Sequence, residues 1–192
     1  MSEVILFHHA QGLTAGVRAF ADELRSAGHT VHVPDLFDGR TFDTVESGVD
    51  HAREIGFDNV LARGVAAADD LPNNVVYAGF SLGVMPAQKL AQTRAGAAGA
   101  LFFDSCLPVS EFGTWPDGLS AQIHGGVDDE WFAEDLEFAR KLADSVPTAE
   151  LFLYSGTAHL FADSSLASYD PAAAGLVLER TKTFLAGLSE LR

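Results

Sequence analysis

The hydrophobic pattern switches repeatedly between short β-like runs and stretches of helical spacing. Residues 3–8 read as a buried strand, followed by Leu13, Val17, Phe20, Leu24 and Ala27 at the three-to-four spacing of an amphipathic helix. Gly28 stands where such a helix stops, and residues 30–33 form the next strand, closed by Pro34. Residues 52–69 predict a helix broken near Gly56 or Gly64, residues 74–78 a strand, and residues 82–93 a helix that tolerates Pro86. The second half repeats the alternation. Strands are expected over 97–103, 119–124 and 149–154, with a helix over 129–144 through Phe132, Leu136, Phe138 and Leu142. Asp170 followed by Pro171 reads as an N-cap and first helical residue, opening a last helix through Leu176, Val177, Phe184 and Leu188. Alternating strands and helices imply an α/β fold with a mostly parallel sheet covered on both faces. With no internal repeat or linker, the 192 residues are expected to form one domain.

Composition narrows the partners. A hydrophobic content of 47% supplies one packed core. No apolar run approaches the roughly 20 residues of a membrane helix. The first basic residue is Arg18, so no secretory signal is expected and a cytoplasmic setting is. Cys106 is the only cysteine, which excludes an internal disulfide. The formal charge of −15 argues against nucleic acid and against an anionic membrane, since neutralising phosphates takes clustered Lys and Arg. Oligomeric state is left open.

Gly79-Phe80-Ser81-Leu82-Gly83 matches the Gly-x-Ser-x-Gly elbow, a tight strand-to-helix turn that lifts a serine hydroxyl above a sheet edge. The bare pattern is weakly specific, but here a predicted strand precedes it and a predicted helix follows. A serine hydroxyl needs a base, and imidazole suits that task near neutral pH. His159, in the small-residue loop Ser155-Gly156-Thr157-Ala158, is the expected base; His124 lies at a strand end and reads as packed. The paired His8 and His9 point to opposite faces of a strand and read as no metal site. For the acid that orients the imidazole, Asp128 after Gly125-Gly126 is preferred, with Asp104 and Asp129 as alternatives. Oxyanion donors are expected from the backbone N–H of Leu82 and of Ala10, with Gln11 close behind.

With these residues assembled, the chain resembles the dienelactone hydrolase family of α/β-hydrolases, which act on lactones and other carboxylic esters. The likeness runs through His9-Ala10-Gln11-Gly12-Leu13, the segment 28–36, the elbow, Gly125-Gly126-Val127-Asp128 and Gly156-Thr157-Ala158-His159-Leu160-Phe161. It implies an α/β-hydrolase fold with Asp128 in the acid position. There are departures. Ser81 stands where the best-known members carry cysteine, His9 where they carry glutamate, and Asp163 near the place of a carboxylate-binding arginine. Cys106 lies beyond the elbow helix and reads as a small packed group rather than a displaced nucleophile. Arg40 and Gln11 are the remaining candidates for substrate contact. The expected reaction is hydrolysis of a small ester or lactone through an acyl-enzyme, requiring no cofactor or metal. A thioesterase, a peptidase and a ligand-binding module on the same fold are the alternatives.

Overall fold

The computed structural model describes residues 1–190. Its elements follow the chain as β1 (Glu3–Phe7), α1 (Ala15–Ser26), β2 (Thr30–His32), α2 (Val45–Ile55), α3 (Phe57–Ala66), β3 (Val75–Phe80), α4 (Val84–Thr93), β4 (Gly99–Phe103), β5 (Ala121–Gly126), α5 (Leu136–Ser145), β6 (Ala149–Tyr154) and α6 (Pro171–Glu190). The strands form one six-stranded sheet in the order β2-β1-β3-β4-β5-β6. Every strand pair in it is parallel. The chain leaves β1 toward β2 and returns on the other side at β3, so the strand order reverses beside β1. In open α/β sheets a crevice forms there, beyond the carboxyl ends of the strands.

Alternation along each strand divides the core between two faces. Ile5, Phe7, Tyr77, Phe102 and Ile123 pack with residues of α2 to α5, including Ala52, Val60, Ala87 and Leu142. Val4, Leu6, Val76, Ala78 and Leu101 pack with α1 and α6 through Val17, Phe20, Leu24, Val177 and Leu185. Each fully buried Phe or Leu contributes roughly 2 kcal/mol relative to exposure, so strands apolar on both sides settle as the middle layer.

Local chemistry sets the helix ends. Thr14 caps α1 by accepting the Val17 N–H, and Thr44 caps α2 in the same way from Ser47. The expected break at Gly56 is real: it lies between α2 and α3 at φ +90°. Asp170 accepts the N–H groups of Ala172 and Ala173 at the start of α6. Pro86 falls in the first turn of α4, where a missing N–H leaves no helical bond unmade.

Three expected elements differ. The helix expected to begin at residue 52 begins at Val45, ahead of its break at Gly56. The helix expected from Leu82 begins as a short 3-10 turn over Ser81–Gly83 before α4 starts. The helix expected over 129–144 begins only at Leu136. Residues 130–135 are turns, held by Asp129 accepting the Trp131 N–H at 2.9 Å and by Phe132 accepting the Asp135 N–H at 3.0 Å. Phe132 is fully buried against Gly125, where an added Cβ would lie 2.3 Å from its ring.

Candidate active site

Ser81 follows β3 at φ +46°, a left-handed conformation costly for a residue with a side chain. The flanking glycines permit it. A Cβ on Gly79 would meet the Gly83 carbonyl oxygen at 2.2 Å, and one on Gly83 would meet the Phe7 carbonyl oxygen at 2.5 Å. The elbow therefore packs backbone directly against the end of β1, and only glycine fits at both positions.

His159 is buried on the loop after β6, with its Nε2 3.0 Å from Ser81 Oγ. Its Nδ1 lies 2.7 Å from Asp129 Oδ2. The tautomer with Nδ1–H donating to the carboxylate leaves Nε2 free to accept the serine proton. Asp129 is 1% exposed, and its other oxygen accepts the Trp131 N–H. The Trp131 ring in turn stacks on His159, with centroids 5.9 Å apart. Such a chain can remove a proton from the hydroxyl and hold the resulting imidazolium in place.

Asp129, and not Asp128, meets His159. Strand β5 runs on to Gly126, and a turn closed by the Asp129 N–H on the Gly126 carbonyl folds Asp129 inward. Asp128 is left exposed, its N–H donating to Gly156. Asp104, at the end of β4, is also close. Among the described residues Asp104, Asp129 and His159 are the group whose donor atoms, all within 4.8 Å of one another, could close on a cation. A hydrogen bond from His159 Nδ1 to Asp129 Oδ2 already joins two members of the group. Burial pushes the Asp104 carboxyl up to about 7; His159 pulls it down and Asp129 pushes it up further.

The first loop is built around two buried histidines. His8 Nδ1 donates to the His9 carbonyl and its Nε2 accepts the Leu36 N–H, while burial lowers it to about 4. His9 Nε2 donates to Asp163 at 2.8 Å, and its Nδ1 accepts the Gln11 N–H at 3.2 Å. Neither is arranged as a metal ligand. The Gln11 N–H is thus spent, whereas the Ala10 N–H has no partner among the described residues. Leu82 follows Ser81 within the 3-10 turn. The Gln11 side chain lines the neighbouring cavity but anchors its amide on the Phe42 carbonyl. Arg40 is exposed and lies outside that cavity.

The cavity, about 630 Å³, is bordered by Asp43, Asp128, Glu130, Trp131, Leu166 and His159, with no Lys or Arg among the described residues on its wall. Trp131 escaped sequence reading because it stood only as an early residue of the helix expected over 129–144; its position next to the acid loop was the available signal. His124 is packed as expected, its ring stacked on Phe103 and Phe152 and lowered to about 3, first by burial and then by Arg180. Cys106 is buried and its thiol pushed up to about 12, chiefly by burial, which makes it an inert packing group.

No described helix is long and apolar enough to cross a membrane. No curated protein matches the sequence significantly. Among solved structures, the chain is similar to the dienelactone hydrolase-like promiscuous phosphotriesterase P91 from metagenomic libraries. Identity is 20% and the TM-score 0.77, over 98% of this chain and 87% of that one. It is similar also to esterase Est2 of Thermogutta terrifontis with propionate bound, at 20% identity and TM-score 0.72, over 97% and 83% of the two chains. Esterase 2 of the same organism phosphonylated by sarin aligns at 16% identity and TM-score 0.70, over 97% and 84%. These likenesses carry the α/β-hydrolase fold. The dienelactone hydrolase family model matches residues 1–189, and the chain belongs to that family.

Proposed function

We propose that the protein hydrolyses small carboxylic esters or lactones through an acyl-enzyme on Ser81. The unbroken hydrogen-bonded line from Ser81 Oγ through His159 to Asp129 carries this reading. His159 Nε2 takes the Ser81 proton as the oxygen attacks the ester carbonyl, and Asp129 supports the imidazolium. The N–H groups of Leu82 and Ala10 are the proposed donors to the oxyanion. His159 then passes the proton to the departing alcohol. Water, deprotonated by His159, attacks the acyl carbonyl, and release of the acid restores Ser81. All steps use groups of this chain and a water, within one domain whose proposed setting is cytoplasmic.

The wall of the cavity favours neutral or cationic esters over carboxylate-bearing ones, because its ionisable side chains are acidic apart from His159. Dienelactone, which carries a carboxylate, is therefore not the proposed substrate. A fluorophosphonate probe tests the nucleophile. Wild-type protein is expected to be labelled and to hydrolyse short-chain p-nitrophenyl esters, and Ser81→Ala to lose both while keeping its unfolding midpoint. Equal labelling of folded Ser81→Ala would reject the proposal, and a folded wild type that resists the probe and spares every ester would favour a binding module. Thioester and amide assays run in parallel separate the leaving groups.

A further inference from the structure

Asp104 is buried beside the site, yet the reaction just outlined assigns it no task. It is 2% exposed, and its Oδ1 has no hydrogen-bond partner among the described residues. Its backbone sits at φ +59°, in the left-handed region, while its N–H donates to the His124 carbonyl at 2.7 Å. That bond fixes the residue at the tip of β4, between the strand leading to Ser81 and the strand leading to Asp129. One of its carboxyl oxygens, one of Asp129 and a ring nitrogen of His159 lie within 4.8 Å of one another. A buried unpaired carboxyl and a strained non-glycine backbone both cost stability. Both costs fall where the side chain approaches the imidazole.

We propose that Asp104 is a second acid of the site, a positioning residue that works with Asp129 to hold and stabilise the His159 imidazolium formed as Ser81 gives up its proton. The inference rests on the acyl-enzyme reading and extends it. Among the described residues, three titratable groups face Asp104: Asp129 after β5, His159 after β6, and Tyr154 at the end of β6. Asp129 disfavours a second negative charge, and an imidazolium favours it. The ionised Asp104 therefore opposes the positive charge that develops on the ring.

The test is the pH profile of kcat/KM on a neutral short-chain ester, from about pH 5 to 9, for wild type, Asp104→Asn, Asp129→Asn and the double variant. Asp104→Asn is expected to lower the plateau about tenfold and to move the acid limb to lower pH, since the ring loses an anionic neighbour. Asp129→Asn should retain residual turnover, which the double variant loses by about a further tenfold. A wild-type plateau and limb in Asp104→Asn, together with a double variant that matches Asp129→Asn, would overturn the inference. Should Asp104→Asn fail to fold, Asp104→Ser and Asp104→Glu decide on the same profile: a lowered plateau in Asp104→Ser that Asp104→Glu restores supports the inference, and a wild-type plateau in Asp104→Ser overturns it. Loss of turnover in Ser81→Ala with Asp104→Asn unaffected removes this inference alone. An inactive wild type removes the acyl-enzyme reading and this inference with it.

Discussion

A carboxylate that steadies an imidazolium has to be dry and fixed in direction, because water on either side dilutes its charge. Asp129 meets both conditions: it is 1% exposed, bonded to His159 through one oxygen and to the Trp131 N–H through the other. Asp128 meets neither, since its side chain lies exposed at the cavity mouth. Asp129→Asn is therefore expected to cost at least about a hundredfold in kcat/KM, because an amide favours the wrong imidazole tautomer. Asp128→Asn should stay within about twofold on a neutral ester, where the carboxylate has no charge to meet. Parallel kinetics on one short-chain ester check both, and a larger loss in Asp128→Asn would return the acid to that position. Ser81 and His159 could be picked out from the sequence as the candidate nucleophile and base because their loops carry a recognisable chemistry of small residues. Choosing between adjacent aspartates could not, since it depends on how far β5 extends and how the next turn closes. Neither is encoded in hydrophobic period.

At the scale of elements, a tie between two loops holds the first loop in place. The loop after β1 and the loop after β6 meet at Asp163, whose Oδ2 accepts from His9 and from Thr14, the cap of α1. Its Oδ1 accepts the backbone N–H and hydroxyl of Ser165. Gly16 makes room, because a Cβ there would fall 1.7 Å from Asp163 Oδ1. Burial raises the Asp163 carboxyl, but hydrogen bonds from His9, Ser165 and Thr14 outweigh it and hold the group at about 2. A folded value below the unfolded one of about 3.9 means stability present above about pH 5 and lost as pH falls through about 2, worth about 3 kcal/mol. Asp163→Asn is expected to lower unfolding free energy at neutral pH by about 2–3 kcal/mol. The gap should narrow toward pH 2, and urea titrations at both ends measure it; a gap unchanged with pH would contradict the assignment. Sequence reading found the strands and the long helices because their apolar periods are clean. It missed the turns over 130–135, whose aromatic residues mimic a helix, and the loop-to-loop tie, which joins residues far apart in the chain.

Charge acts over the whole molecule. The chain carries a formal −15, and three exposed acids, Asp43, Asp128 and Glu130, border the cavity beside Trp131. None of the three forms a salt bridge among the described residues. A local acidic mouth on an acidic molecule concentrates cations and repels anions within about a Debye length of 8–10 Å, and the exposed indole face adds a surface that attracts quaternary ammonium groups. Matched acetate esters bearing a cationic, a neutral or an anionic alcohol should therefore be ranked in that order by kcat/KM, the ends separated by about tenfold or more at low salt. Raising ionic strength should lower the rate for the cationic ester, raise it for the anionic one and leave the neutral one nearly flat. Because the neutral ester reports the chemistry at Ser81 alone, its rate separates a failure of catalysis from a failure of this charge argument. A preference for the anionic ester that persists at high salt would mean that a basic group outside the described wall reaches the substrate, and the acidic mouth would then have no part in selecting it.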